Sequence, residues 1–187
     1  MPRNAFQRAV FALLTVVITV HAYVFYSLYV VNGGTLMAVT GARSVLEAVA
    51  AQGGVMMFGR MLPIWAIVVI EFACAYSLEM LVGSPCSFKL ASRCFDPHST
   101  HPVLFETAII SATVGIICPV MSFLAAWMYY PYYMGFSIIT LLANWLKLVC
   151  FNFAFAWFSQ LFFIQPLVRT MFKKIFAKDI ASRQAQH

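Results

Sequence analysis

A chain of 187 residues that is 63% hydrophobic and 10% charged carries more apolar surface than a soluble core of that length can hide. Soluble domains run at about half apolar and about a quarter charged, so the composition excludes an ordinary soluble domain and points to a bilayer. The formal net charge is +6, but no soluble domain is present to carry a basic face, which argues against nucleic acid as a partner.

Arg3 and Arg8 precede an apolar run from Ala9 to Val31. At about 23 residues that run exceeds a signal-peptide core, and no small-x-small cleavage site follows. It reads as a retained first span. Three further spans are expected at Met61–Val82, Leu104–Tyr130 and Ile138–Val168. Backbone polar groups in lipid must be satisfied within the segment, so all four are helices. Between the first two, "SVLE" reads as a capping box of Ser44 with Glu47, opening a short helix that Gly53–Gly54 ends. This segment is a linker or a lid over a cavity. Pro63 fits the first turn of the second span or kinks a longer helix.

Basic residues set the expected orientation. Arg3 and Arg8, then Lys89 and Arg93, then five Lys/Arg from Arg169 onward fall on one side, whereas "YYPYYMGF" carries none. The expectation is a multi-pass membrane protein with both termini and the middle loop cytoplasmic. Tyr129, Tyr130, Tyr132 and Tyr133 suit the opposite interface. The basic C-terminal tail suits anionic lipid.

Two segments align without a gap: "EFACAYSLEMLVGSP" from Glu71 and "NFAFAWFSQLFFIQP" from Asn152. Phe72, Ala73, Ala75 and Pro85 fall on Phe153, Ala154, Ala156 and Pro166, while Glu71 meets Asn152 and Glu79 meets Gln160. Carboxylate opposite carboxamide, twice in one register, indicates a duplicated two-helix unit. The expected fold is all-α: an integral membrane four-helix bundle of two tandem two-helix repeats in parallel orientation. The repeats comprise residues 1–97, with a long outer loop, and 98–187, with the basic tail. An even number of spans per unit sets the pseudo-two-fold axis along the membrane normal.

The second half, with Trp145, Phe153–Ala154–Phe155–Ala156, Pro166, Arg169 and Lys173–Lys174, resembles a bacterial membrane family catalogued as domain of unknown function 2798. That resemblance implies a two-helix unit that can occur twice in one chain. It implies a four-helix protein of a bacterial inner membrane, and no activity.

At about 1.5 Å per helical residue, Glu71 lies roughly 20 Å from the cytoplasmic end of its span, and His21 and Asn152 lie at a similar depth. A carboxylate there has to be protonated, hydrogen-bonded or in contact with water. His21, Glu71 and Asn152 are therefore candidates for one protonation and solute-binding site, with His21 as proton partner. The alternative is a polar clasp that fixes helix packing. Glu79 and Gln160 sit nearer the cytoplasm, where Glu79 either opens a vestibule or pairs with Lys89 or Arg93. Arg60, Asn144 and Lys147 read as outer-end anchors or anion contacts. Ala73, Ala75, Ala154 and Ala156 read as close-packing positions.

Asp96, His98 and His101 form a weak metal pattern on a proline-rich loop, and the five cysteines lack CxxC spacing. No cofactor, metal site or catalytic constellation is expected. Two readings of function remain. One is a transporter or channel for a small solute or ion, for which a homodimer is an alternative setting because four helices make a narrow bundle. The other is a non-transporting scaffold or accessory subunit.

Overall fold

The structure is a computed structural model that describes residues 4–177. Arg3, Lys178 and Arg183, counted above among the terminal basic residues, lie outside the described residues. Four helical segments are long and apolar enough to cross a membrane: Ala5–Val31, Ile64–Cys94, Pro102–Met128 and Ile138–Ile175. By length and composition this is a membrane-spanning helical bundle.

The first span is α1 (Ala5–Phe25), whose N-terminus is closed by the Asn4 side chain accepting the Gln7 N–H at 2.7 Å. It runs on through a π-helical turn, Tyr26–Val31. Two short helices, α2 (Gly33–Thr40) and α3 (Val45–Gln52), precede the second span. That span is α4 (Ile64–Leu78), a π turn at Glu79–Gly83, then α5 (Ser84–Cys94). The third is α6 (Pro102–Met128), with Pro119 inside it. The fourth is α7 (Ile138–Ser159), a π turn at Gln160–Ile164, then α8 (Gln165–Ile175).

Spans two and four reach past their expected ends, Val82 and Val168, and neither Pro85 nor Pro166 stops its helix. A proline inside an α-helix removes one hydrogen bond and drives its ring against the carbonyl four residues back. Here the turn before each proline is widened instead, and the Ser84 and Gln165 N–H groups bond the carbonyls of Glu79 and Gln160, five positions back. Both prolines then occupy the first turn of the following helix, where the missing N–H costs nothing. The register that pairs Glu71 with Asn152 also pairs the element boundaries. Leu78, Gly83 and Cys94, which end α4, its π turn and α5, correspond to Ser159, Ile164 and Ile175, which end α7, its π turn and α8.

The spans form a ring. The first packs against the second through α1 and α4, and against the fourth through α1 and α8. The third packs against the fourth through α6 and α7, and against the second through α6 and α5. Phe6 meets Phe176, Phe11 meets Phe172 and Phe88 meets Phe105 at the end where the described chain begins and finishes. We call this the terminal end, and its opposite the hairpin end.

At the hairpin end, residues 32–63 are more structured than a linker. The Ser44 hydroxyl accepts the Glu47 N–H at 3.2 Å and opens α3, and Gly53 closes it at φ +69°. Two elements go beyond the sequence expectation. One is α2; the other is an antiparallel hairpin of β1 (Val55–Met57) and β2 (Arg60–Leu62). The fold is therefore the expected helical bundle with one small hairpin added. Its two-residue turn, Phe58–Gly59, has φ +50° and +73°, a primed turn normally built from Asn-Gly. Phe58 is held in that strained conformation from outside: its N–H donates to the Met128 carbonyl at 2.8 Å and its ring stands edge-on to Trp127. Met57, 1% exposed, completes the joint by packing on Ile67 and Met128.

Of the four alanines expected at close helix contacts, Ala156 is buried with Val114 and Cys118. Ala73 and Ala154 instead face outward, and Ala75 lines an internal cavity. The small buried contacts are made by Ala12, Ala91, Ala112 and Ala126 as well. Helix faces, not the local alternation of small and aromatic residues, decide which alanine is inside.

Gly54 shows how closely the hairpin is seated. A Cβ there would overlap the Leu62 carbonyl oxygen and lie 2.9 Å from its carbon, both backbone atoms that a rotamer change cannot move. Gly54→Ala is expected to cost about 1–3 kcal/mol. A lowered Tm in detergent, with new proteolytic cleavage between residues 53 and 63, would be the readout.

Candidate functional site

A cavity of about 1270 Å³ runs inside the ring of helices and is lined by all four spans. It extends from Ala5 and Arg8 at the terminal end to Asn32 and Gln52 at the hairpin end. Glu71, Glu79, Asn152 and Gln160 all line it; His21 does not. The His21 ring is exposed on the outer face of α1, and its Nδ1 sits 2.7 Å from the Val17 carbonyl oxygen one turn back. Similar depth on two ideal helices says nothing about azimuth, and azimuth separates His21 from Glu71.

The partner found for Glu71 is Tyr129, whose hydroxyl donates to Oε1 at 2.5 Å. Tyr129 closes the C-terminus of α6, so this bond ties the second span to the third. Asn152 makes a parallel link: its Nδ2 donates to the Ser122 hydroxyl at 3.3 Å, and its backbone carbonyl accepts from the Tyr23 hydroxyl at 3.2 Å. Glu71 and Asn152, equivalent in the two aligned segments, are thus both tied to the third span.

Glu79 accepts the Ser84 hydroxyl at 2.9 Å and has no ion pair with Lys89 or Arg93 among the described residues. Helical geometry explains the difference from expectation. Lys89 and Arg93 stand 10 and 14 residues further along the span, exposed on α5, while the Glu79 carboxylate is bonded across the π turn to Ser84. Gly83 leaves space for it, since a Cβ there would lie 2.5 Å from a Glu79 carboxylate oxygen. Ile164 stands at the equivalent position of the second half and is buried. Gln160 donates to the Thr19 hydroxyl at 2.8 Å and accepts from Gln165 Nε2 at 3.3 Å. The 79/84 and 160/165 side-chain pairs span the two π turns in the same way.

Near the terminal end, Glu106 forms an ion pair with Arg169, linking α6 to α8. Lys147 and Asn144 also border the cavity, with Lys147 exposed, whereas Arg60 lies at the hairpin turn. In the loop at residues 95–101, the Asp96 carboxylate accepts the His98 N–H and the Ser99 hydroxyl, and these bonds hold it below the usual carboxylate range. That carboxylate serves a local turn.

Tyr129, Tyr23, Ser122, Thr19 and the Glu106–Arg169 pair are the site residues that sequence reasoning misses. In the sequence Tyr129 reads only as an interfacial aromatic. The recurrence of a polar pair across each π turn, Glu79 with Ser84 and Gln160 with Gln165, is a signal that the alignment of the two segments does contain. The chain matches no family model, no curated protein and no solved structure.

Two substitutions separate the roles of these contacts. Tyr129→Phe removes the donor to Glu71 and is expected to cost about 1–3 kcal/mol, because a half-buried acceptor is left without its partner. Arg169→Gln removes a partly exposed ion pair and is expected to cost about 1 kcal/mol or less. Thermal unfolding in detergent should order the two in that way, and exchanging the charges (Glu106→Arg with Arg169→Glu) should recover part of the second loss.

Proposed function

We propose that the chain is a small multi-pass transporter or channel of a bacterial inner membrane whose path runs through the central cavity, with Glu71 as its protonatable group. The cavity carries this reading: it extends between the two ends of the bundle, and a carboxylate lines it within a span. Intramembrane ionisable residues that face a cavity are functional candidates by default, since lipid-facing ones are costly. Tyr129, rather than His21, orients the carboxyl group, and Asn152 orients the matching level of the second half. The aligned segments and their coincident element boundaries support two tandem two-helix units related by an axis along the membrane normal. The distribution of basic residues supports cytoplasmic termini, with exposed Lys173 and Lys174 available to anionic lipid. The quoted motifs of the second half support membership of the two-helix family named above.

A scaffold is the second reading, and one observation favours it. Glu71, Glu79, Asn152 and Gln160 each already hold a hydrogen bond inside the fold. Three of these bonds join different spans, and bonds of that kind contribute about 1 kcal/mol each and serve packing without transport.

Proteoliposomes loaded with a pH-sensitive dye distinguish the two. In the transport reading, Glu71→Gln abolishes proton-coupled flux and leaves Tm within a few degrees of the parent, because the amide oxygen still accepts from Tyr129. Equal flux from the parent, the variant and empty vesicles would favour the scaffold.

A further inference from the structure

We propose that the cavity is a binding chamber for a lipophilic organic cation, with Glu71 and Glu79 as two successive charge-receiving positions. The proposal rests on the transport reading above and names its substrate class.

The wall favours a body with apolar surface. Between the polar positions it is formed by side chains such as Val16, Val20, Ile67, Val114, Ile117 and Met121, which a small hydrated ion would leave without a partner. An apolar body of drug size is suited to such a surface, and about 1270 Å³ exceeds the roughly 300–1,000 Å³ that such ligands usually occupy.

Charge selects the sign. Among the described residues three carboxylates line the cavity, and Glu106 is neutralised by Arg169. Glu71 and Glu79 receive hydroxyl donors, and neither has a cationic partner among the described residues. The remaining cations on the wall, Arg8, Lys89 and Lys147, are exposed. The two carboxylates are half-buried. Glu71 and Glu79 are thus the two carboxylates of the chamber that no cation is bonded to among the described residues, although Arg8, Lys89 and Lys147 also border it.

Position along the path adds a third argument. Glu71 and Glu79 lie on one span, eight residues or about 12 Å apart, and both line the cavity. Two moderate sites in series let a charged solute enter and leave, where one deep site would trap it. Tyr129 places an aromatic ring at the first position, and Tyr23 and Phe151 add rings to the wall. Their faces attract a delocalised or alkylated cation without the dehydration that an inorganic ion requires. At the second position, Gly83 leaves the space that the Glu79 carboxylate itself occupies, whereas Ile164 stands at the equivalent position of the other half. The two halves are thus unequal in charge, and both acids lie in the first.

The test uses the full chain in lipid nanodiscs and two probes of nearly the same size and shape, tetraphenylphosphonium and tetraphenylborate, followed by equilibrium dialysis against empty nanodiscs. Saturable binding of the cation alone is the expected result. Glu71→Gln and Glu79→Gln should each weaken it about 10-fold or more, and the double variant should fall to the level of empty nanodiscs. A Tm close to that of the parent excludes unfolding as the cause of either loss. Equal or tighter binding of the borate overturns the proposal, as does cation binding that survives the double substitution. Absence of binding by the cation also overturns it. Glu71-dependent proton flux measured alongside then tells whether only the substrate class has failed or the transport reading with it.

Discussion

A helix that crosses lipid has to satisfy its backbone polar groups internally, and this chain places a proline within two of its four spans at the same point of an aligned segment. The conflict is resolved by one widened turn in each. The π turns at 79–83 and 160–164 absorb the lost hydrogen bond and the ring clash, and the helix continues into α5 and α8. Every later feature inherits that solution. The turn directs Glu79 and Gln160 inward, places Ser84 and Gln165 where their side chains can bond back across it, and sets the azimuth of α5 against α6 and of α8 against α1. α6 and α7 pack along most of their length, from Leu141 with Ala126 to Trp157 with Ser111, and the four spans together line the cavity.

The polar residues inside that cavity share one kind of partner. Glu71, Glu79 and Gln160 are each bonded to a hydroxyl, from Tyr129, Ser84 and Thr19, and the Asn152 amide to that of Ser122. A hydroxyl can donate to a carboxylate and accept from a carboxylic acid, so it tolerates a change of protonation that an ion pair would resist. A fixed salt bridge stands where stability is the evident need, between Glu106 and Arg169 at the terminal end. The contrast separates an ion-paired carboxylate near the terminal end from two carboxylates further along the cavity that are held by hydroxyl groups alone.

Much of the architecture is legible because the forces behind it are one-dimensional. Four apolar runs of membrane length, the Ser44 cap, the Gly53 stop and the alignment of 71–85 with 152–166 can all be read along the string. Placement around a helix axis is less accessible. His21 and Glu71 share a depth, yet one faces outward and the other inward; Ala154 and Ala156 look alike in sequence, and only the latter is buried. The hairpin is hidden for a different reason. Phe58–Gly59 lacks the Asn that signals a primed turn, and its conformation depends on Met128 and Trp127, at the far end of the third span. Nothing local encodes that support. Tyr129 is similarly concealed, since an interfacial tyrosine and a carboxyl-orienting tyrosine have the same letter and nearly the same position.

The widened turns also keep the screw phase of the molecule. A π turn is in effect an α-helical turn with one residue inserted; unabsorbed, that residue would rotate everything beyond it by about 100°, and the wider turn takes it up locally. The buried Ser87 and Ala91 therefore meet α6 as they would on a helix one residue shorter. Removing a single residue from 79–83 would return the second span to an unbroken α-helix in the same phase, but with the Pro85 ring against the carbonyl of the preceding turn. Each widened turn is thus a self-contained accommodation of its own proline, and neither half has to rotate for the other to keep it.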